Sequence, residues 1–255
     1  MLGHSVIELV DVCKSFKGQK VLDGVNLSVD SGRITVIIGR SGGGKSVLLK
    51  HIIGLLKPDK GQILIDGTDI AKLNDRQLND VRKVFGMLFQ NAALFDSMSV
   101  GENVAFPLKE HTSIKPNVIS EIVEQKLRQV GLTNVSHKMP SELSGGMRKR
   151  VGLARAIVLD PKIILFDEPT TGLDPIMADA IDALISETQG QTGATYVIIS
   201  HDIKATFKVA HKIAMLYNGK IIETGTPDQL RSSDNSVVHQ FIKGISQGPI
   251  GDPEV

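Results

Sequence analysis

The pattern of hydrophobic positions along this chain predicts an α/β fold. Uninterrupted apolar runs of strand length are typical of strands that are buried on both faces of a mostly parallel sheet. Such runs occupy 33–39, 84–90, 162–169 and 194–202. Nearer the N-terminus, over 6–12 and 21–29, apolar and polar residues alternate instead. Alternation indicates half-buried strands, so we expect a region of antiparallel β structure there.

Helical periodicity predicts the elements between these strands. Apolar residues recur at spacings of three and four over 45–56, 118–132, 144–158 and 175–189. The stretch 91–140 contains several prolines and one clear helix, so we expect a mainly helical insertion between two core strands. The dipeptides Asp66-Gly67 and Asn218-Gly219 predict hairpin turns.

The segment GRSGGGKS carries the strongest chemical signal. It fits the pattern G-x-x-x-x-G-K-[ST], in which glycines let successive backbone N–H groups point at phosphate oxygens. The helix that follows would add the positive end of its dipole. Lys45 would reach the β- and γ-phosphates of a nucleotide, and the Ser46 hydroxyl would ligate Mg²⁺. The alternative is a glycine-rich turn with a chance Lys-Ser pair. The candidate nucleotide-binding residues of this loop are Gly39, Arg40, Ser41, Gly42, Gly43, Gly44, Lys45 and Ser46.

Polar side chains follow three of the predicted strands, and in α/β proteins ligands bind at the carboxyl ends of strands. Asp167 is placed to hold Mg²⁺, and Glu168 to orient and polarise a water that attacks the γ-phosphate. The alternative is a pair of helix-capping acids before Pro169. Gln90 could contact Mg²⁺ or water, but it is equally compatible with a structural role. His201 could contact the γ-phosphate, although a strand-end histidine taken alone is more often structural.

A second candidate anion site lies in LSGGM, at 143–147. Gly145 and Gly146 would let a phosphate approach a helix N-terminus, and Ser144 would donate a hydrogen bond to it. A simple helix cap is the alternative. Two phosphate-binding helix ends in one chain either face one nucleotide or complete a site on a second chain. Phe16, in the first β segment, could stack on a base or belong to the core.

The order of these motifs along residues 6 to about 230 resembles the ATP-binding-cassette (ABC) ATPases. The six motifs are the phosphate loop, Gln90, 143–146, 163–168, 171–174 and His201. The resemblance implies an α/β P-loop NTPase with a RecA-like core, an N-terminal antiparallel β subdomain and an inserted α-helical subdomain. It also implies ATP hydrolysis, with ATP and Mg²⁺ as ligands. The metal ligands would be Ser46, Gln90 and Asp167, and the catalytic residues Glu168, His201, Lys45 and Gln90.

In such a family member two copies would form a head-to-tail dimer. Each ATP would lie between the phosphate loop of one copy and the LSGG segment of the other. The resemblance assigns Phe16 to adenine stacking and Asp174 to the loop that links the two sites. It also implies that Gln90 and the helical insertion form a groove, which receives a helix from a membrane permease.

Three stretches resemble more narrowly the ATPase subunit of Mla/Mce-type phospholipid transporters of Gram-negative inner membranes. They lie at 89–112, 140–157 and 239–250. Met147 departs from the glutamine of most cassettes, which removes one polar contact, and Phe16 stands where many have tyrosine. This resemblance implies a peripheral place, through the permease, on the cytoplasmic face of the inner membrane. It also implies that the C-terminal helix and tail pack on the partner ATPase, and that a STAS-domain protein and an Mce-domain lipid-binding protein are further partners.

Composition bears on the partners and the cellular location that we expect for this chain. The 255 residues carry a net charge of +1, which gives no sign of attraction to nucleic acid. The single Cys13 excludes an internal disulfide. No apolar run reaches the length of a membrane span, and no secretory signal is seen, so we expect another chain to hold the protein at a membrane. The alternatives are an ABC ATPase for another cargo, such as an amino acid or a metal chelate, a soluble ABC ATPase, or an inactive nucleotide-binding regulator.

The predicted layout has an ABC ATPase domain at 1–235 and a C-terminal helix and tail at 236–255. Within the domain, 6–89 and 162–235 would form the nucleotide-binding core and 90–161 the helical subdomain. The tail is rich in glycine and proline, so we expect it to be flexible when alone.

Overall fold

The protein, seen here as a computed structural model, is described over residues 4–251. The strands are β1 (Ser5–Phe16), β2 (Gln19–Asp30), β3 (Ile34–Ile38), β4 (Lys60–Ile65), β5 (Thr68–Asp69), β6 (Phe85–Leu88), β7 (Ile163–Asp167), β8 (Thr195–Ile199), β9 (Lys212–Tyr217) and β10 (Lys220–Gly225). The α-helices are α1 (Lys45–Ile52), α2 (Asp75–Arg82), α3 (Val100–His111), α4 (Pro116–Gln129), α5 (Gly145–Ile157), α6 (Pro175–Thr192), α7 (Ile203–Val209), α8 (Pro227–Arg231) and α9 (Ser236–Lys243). Among the described residues, no helix has both the length and the apolar character needed to cross a membrane.

The chain divides into two compact units. The first contains the described residues up to Leu73 together with those from Ile199 onward, and the second is Asn74–Ile198. The boundaries predicted from sequence, a core at 6–89 and 162–235 with a helical subdomain at 90–161, stay predictions.

The N-terminal part of the first unit is an antiparallel sheet with strand order β2-β1-β4-β5. Ile7 of β1 pairs with Val29 of β2, and both side chains are buried. Asp66 and Gly67 both take left-handed backbone angles, with φ of 51° and 78°, where β4 turns into β5. The predicted antiparallel region and its first hairpin are therefore confirmed.

The first unit also holds the strand that leads into the phosphate loop. All five residues of β3 are buried, as the continuous apolar run predicts. This strand pairs in parallel with β9, which pairs antiparallel with β10. Asn218 and Gly219, with φ of 47° and 74°, form the turn between β9 and β10. Such angles are those of the tight turn that Asn-Gly favours, so the second predicted hairpin is confirmed.

In the second unit the strands β8, β7 and β6 are neighbours in that order. β6 and β7 run parallel, with Leu88 beside Phe166. Between these two strands the chain is mainly helical, because α3, α4 and α5 all lie there. The predicted α/β class and the predicted helical insertion are both confirmed.

One helix in the insertion was not predicted. The sequence indicates one clear helix over 91–140, whereas the structure has α3 as well as α4. Pro107 lies inside α3, and a proline within a candidate helix is usually evidence against it. A capping box opens α3, since the Ser99 side chain accepts from the Glu102 N–H and the Glu102 carboxylate accepts from the Ser99 N–H. Burial of Val104 and Leu108 then holds the helix despite the proline.

The C-terminal segment contacts α9 through one buried amide. The α9 residue Gln240 is buried, and its side-chain amide donates to the carbonyl of Ile245 at 3.1 Å and that of Ile250 at 3.3 Å. The Ile250 N–H donates back to the Gln240 side chain at 2.7 Å. Flexibility of the tail when alone stays a prediction. Residues 1–3 and 252–255, which the predicted layout includes, lie outside the described residues.

Close packing of α5 against β6 generates a stability prediction. A Cβ on Gly152 would lie 2.7 Å from Leu88 Cδ1 and 3.1 Å from Ala92 Cβ. Gly152→Ala should therefore lower the free energy of unfolding by about 1–3 kcal/mol through overpacking. Gly190→Ala is the matched control, because Gly190 is helical and has nothing within 4 Å of the same position. It should raise stability by about 0.5–1 kcal/mol. Urea unfolding measures both, and equal stability of the two variants would contradict this packing.

Candidate functional site

The loop between β3 and α1 has the backbone that anion binding requires. Gly42 and Gly44 take left-handed angles, with φ of 72° and 94°. Gly44 caps α1, and a Cβ there would lie 3.0 Å from both Cγ1 and the carbonyl oxygen of Val21. A Cβ on Gly39 would collide with the carbonyl oxygen of Leu216. A larger residue at Gly39 would displace the loop, and the backbone angles of Gly42 and Gly44 favour glycine.

Lys45 places a cation inside this loop. Its side chain is 5% exposed, and its ammonium donates to the carbonyls of Gly39 and Arg40, both at 2.8 Å. The first turn of α1 contains no acidic residue that would compete for an anion. Ser46 follows on the exposed side of the helix. A buried ammonium at the N-terminus of a helix whose first turn has no acidic residue favours binding of an anion.

A pocket of about 370 Å³ adjoins the phosphate loop within the first unit. It is lined by Arg40–Gly43 of the loop, by Gln19–Val21 and by Leu216–Gly219. Phe16 pairs with Gln19 across the turn between β1 and β2, so its ring is carried by the hairpin that forms one wall. The Phe16 side chain is 41% exposed, which excludes the core alternative. Its ring is thus available for stacking on a flat ligand.

His201 belongs to the first unit and lies two residues beyond the end of β8, on the protein surface. The next residue, Asp202, caps α7 by accepting a hydrogen bond from the Ala205 N–H at 3.0 Å. This cap fixes the backbone on one side of the histidine. The structure therefore presents His201 at a strand end, as the sequence predicts, although the strand itself stops earlier than expected.

In the second unit, β7 ends in the two predicted carboxylates. Asp167 and Glu168 are both half-buried. Glu168 has a left-handed φ of 48°, which is strained for a residue with a side chain. Its carboxylate accepts a hydrogen bond from the Thr171 hydroxyl at 3.0 Å. Strain of this kind is typical of functional positions, and the Thr171 contact fixes the orientation of the carboxylate.

The LSGG segment forms the N-terminus of α5, also in the second unit. Ser144 caps the helix, and its hydroxyl accepts from the Met147 N–H at 3.3 Å. A Cβ on Gly146 would meet the end of the Met177 side chain, which would have to move to make room for it. Gly145 lies at the first turn of the same helix and is half-buried. The geometry fits a helix cap and an exposed anion site equally well.

Gln90 follows β6, and its side chain lies at the surface. Its backbone carbonyl accepts a hydrogen bond from the Lys149 ammonium. Burial lowers the pKa of Lys149, while the negative charges of Glu168 and Asp167 act to raise it. Within the second unit the structure thus brings Gln90, the start of α5 and the two carboxylates to one neighbourhood. Sequence reasoning missed Lys149, and its only signal was a lysine among the apolar positions of a predicted helix.

A groove of about 430 Å³ lies beside Gln90. Four phenylalanines line it, at positions 85, 89, 95 and 106. Phe89 and Phe95 are 37% and 42% exposed, unusual values for large apolar side chains. Arg82, Lys83 and Arg155 add positive charge to the same groove. Its surface is therefore both apolar and basic.

The side chains present fit a nucleoside triphosphate with Mg²⁺. The glycine cradle and buried Lys45 suit phosphate, and an exposed Phe16 suits a base. Ser46 in the first unit supplies a hydroxyl oxygen, and in the second unit Asp167 and Gln90 supply carboxylate and amide oxygens. These are ligand types that Mg²⁺ takes.

The fold and these motifs together define an ATP-hydrolysing cassette. The family described as "ABC transporter" matches residues 22–171. The chain belongs to the ABC transporter family and is an ATPase. The resemblance drawn from the six motifs is thereby confirmed.

Relatives match over nearly the whole chain. The probable ribonucleotide transport ATP-binding protein mkl of Mycobacterium leprae (strain TN) is 46% identical over 97% of this chain and 72% of its own length. The intermembrane phospholipid transport system ATP-binding protein MlaF of Haemophilus influenzae is 45% identical over 98% of this chain and 94% of its own length. The protein of the same name from Escherichia coli (strain K12) is 42% identical over 96% of this chain and 91% of its own length.

Two solved structures show the same fold. A dimer of the ATP-binding cassette MJ0796 bound to ADP and Pi has a TM-score of 0.79 and 30% identity, and covers 87% of this chain and 98% of its own. CbiO1 from Clostridium perfringens is part of the cbiONQ ABC transporter complex. It has a TM-score of 0.83 and 30% identity, and the match covers 90% of this chain and 91% of CbiO1. The predicted ABC ATPase fold is confirmed.

The buried ammonium of Lys45 yields a test of the phosphate loop. Lys45→Ala should lower the rate of ATP hydrolysis at least about 100-fold, because it removes a preorganised cation from the anion site. Lys50→Ala is the matched control, since Lys50 lies exposed on the same helix. Its turnover should stay within about twofold of the parent protein. Phosphate release in Mg-ATP measures both, and near-normal turnover of Lys45→Ala would refute the assignment.

Proposed function

We propose that this chain powers the movement of phospholipids between two membranes, as the ATPase subunit of an Mla/Mce-type transporter. The observation that carries the proposal is the similarity to the intermembrane phospholipid transport protein MlaF of Haemophilus influenzae, which is 45% identical and matched over 94% of its length. The narrower resemblance of three stretches, including the C-terminal one, points to the same transporters.

A second candidate cargo comes from the mkl relative, which is named for ribonucleotide transport. Its identity to this chain is the same within a percentage point, so identity does not separate the two names. The narrower resemblance of 89–112, 140–157 and 239–250 to the Mla/Mce-type ATPases favours the phospholipid candidate. The amino-acid and metal-chelate alternatives have no comparable support.

For the site we propose the following division of roles. The loop Gly39–Ser46, with Lys45, holds the phosphates, and Phe16 stacks on adenine. Ser46, Gln90 and Asp167 hold Mg²⁺, which when bound would neutralise phosphate charge.

Glu168, oriented by Thr171, positions the attacking water and accepts its proton, and His201 contacts the γ-phosphate. The strain at Glu168 and its fixed carboxylate are the structural support for this role.

We further propose that the site is completed by a second copy of the chain. Ser144, Gly145 and Gly146 of one copy would bind the γ-phosphate held by the phosphate loop of the other. Ser144 is exposed at a helix N-terminus, which suits contact with an anion on another molecule. The solved MJ0796 relative is itself dimeric. Asp174, which caps α6, would join the two sites.

A membrane permease would occupy the groove beside Gln90. An amphipathic helix laid in an apolar groove is a common mode of recognition, and the exposed Phe89 and Phe95 suit its apolar face. The basic residues Arg82, Lys83 and Arg155 suit an acidic residue on that helix. Through this permease the chain would lie at the cytoplasmic face of the inner membrane. A STAS-domain protein and an Mce-domain lipid-binding protein are the further partners that we propose.

The proposed role of Glu168 predicts a trapped dimer. Glu168→Gln keeps the shape of the side chain but removes the charge that accepts a proton, so ATP should bind without turning over. Hydrolysis should fall at least about 100-fold, and Mg-ATP should convert the chain to a dimer. Size-exclusion chromatography with light scattering measures the dimer. Glu187→Gln, an exposed acid on α6, is the control and should hydrolyse ATP normally. An unchanged rate of ATP hydrolysis in Glu168→Gln would refute the proposed catalytic role of Glu168.

The cargo is tested by what the trapped complex carries. A tagged Glu168→Gln chain, purified from its native membranes in Mg-ATP, should co-purify a multi-span permease, an Mce-domain protein and bound phospholipid. Protein and lipid mass spectrometry identify these components, and the Lys45→Ala chain serves as the control. Recovery of a permease with bound ribonucleotide and no enrichment of lipid would favour ribonucleotide transport, for which the mkl relative is named. Recovery of a solute-binding protein without lipid would exclude the phospholipid proposal.

A further inference from the structure

One face of α5 is fastened to the loop that follows β6. Gly152 allows the helix to approach closely, since a Cβ there would lie 2.7 Å from Leu88 Cδ1. One turn before it, the Lys149 ammonium donates to the Gln90 carbonyl. One turn after it, the Arg155 guanidinium reaches the same loop. Three positions on one helix face thus contact a single short stretch of chain.

The loop that they hold is strained. Ala92 and Ala93 both have left-handed backbone angles, with φ of 59° and 46°. Such angles are strained for a residue that has a Cβ. The Arg155 guanidinium donates to the carbonyls of both residues, at 2.6 Å and 2.8 Å. Charged, two-pronged donation of this kind is strong and directional, so it offsets the strain and fixes where the carbonyls point.

Lys149 also lies near Asp167, Glu168 and the start of α5. It is 5% exposed, and the charges of Asp167 and Glu168 act on it. It lies just over one turn from Ser144, where α5 begins. A single buried cation therefore connects the start of α5, the Gln90 backbone and the surroundings of the two carboxylates. Neither Lys149 nor Arg155 contacts a predicted phosphate ligand, so neither is a catalytic residue.

We propose that Lys149 and Arg155 are positioning residues that clamp the loop 90–93 to α5. The clamp makes Gln90 and the phosphate-binding end of α5 move as one body. Arg155 also lines the aromatic groove, so an occupant of the groove acts on the clamp directly. The inference deepens the proposed function and rests on the role proposed there for Gln90.

A buried lysine could instead serve packing alone, and the chain offers a matched control for that alternative. Lys126 is 8% exposed, lies in the same unit and pairs with Asp160. It contacts neither the loop nor the carboxylates in the described structure. Lys126→Met and Lys149→Met each remove a buried ammonium while keeping side-chain length, so they separate a general loss of stability from loss of the clamp.

The test uses the full chain and combines kinetics with hydrogen exchange. Lys149→Met should lower kcat for ATP about 10- to 100-fold, because a small displacement of a reacting group has effects of that size. The KM for ATP should stay within about threefold, since the phosphate loop is intact. Exchange at the Ala92 amide, which donates to Phe89 at 2.8 Å, should accelerate at least about tenfold. Lys149→Arg keeps a hydrogen-bond donor, so its kcat and its exchange rate at the Ala92 amide should lie close to those of the parent protein. Lys126→Met should leave kcat and this exchange rate unchanged.

Arg155→Lys keeps the charge but loses the two-pronged donor, so it should accelerate exchange at the loop even if Lys149→Met does not fold. Unchanged exchange in that variant would overturn the clamp. The proposal would equally be overturned if Lys126→Met reproduced the kinetic loss, or if Lys149→Met changed KM alone. Failure of the parent protein to hydrolyse ATP would refute the proposed function instead, and the exchange measurements would still decide whether the clamp exists.

Discussion

The structure depends on one constraint, which is that backbone must approach backbone more closely than a side chain allows. In the first unit this constraint produces the phosphate loop. Gly39 lies against the Leu216 carbonyl and Gly44 against Val21, so the loop is pressed between β9 and the start of β2. In the same loop the Lys45 ammonium is buried and donates to the carbonyls of Gly39 and Arg40. Tight packing and anion binding are therefore two results of the same glycines.

In the second unit the same constraint brings a helix close to a strand. Gly86 lies so close to the Ala156 carbonyl, and Gly152 so close to Leu88, that α5 rests almost directly on β6. That proximity leaves no room for ordinary side chains between them. The loop after β6 is consequently held from the side by Lys149 and by Arg155. Its strained conformation follows from helix packing, and the position of Gln90 follows from the loop.

Local signals were enough to predict most elements and to locate most candidate site residues at strand ends or helix N-termini. Continuous apolar runs predicted β3, β6 and β7, because burial on both faces leaves a pattern visible in one strand alone. The phosphate loop was predictable because its chemistry needs residues that are contiguous. The features that sequence reasoning missed had both local and tertiary causes. Pro107 hid α3, although Ser99 and Glu102 form a capping box three residues apart. The tail depends on Gln240, and Lys149 on a carbonyl 59 residues away, so neither contact leaves a local pattern.

Overall identity to named relatives does not separate the two candidate cargoes. Relatives named for phospholipid and for ribonucleotide transport share nearly the same identity with this chain. Both are named as ATP-binding proteins, so nucleotide binding is what the two names have in common. The exposed rings of Phe89 and Phe95 in the groove have no role in nucleotide binding or hydrolysis among those proposed above. The proposed permease helix would have to match these rings in shape and the basic residues beside them in charge, so matching to a permease, and through it to a cargo, would act at this groove.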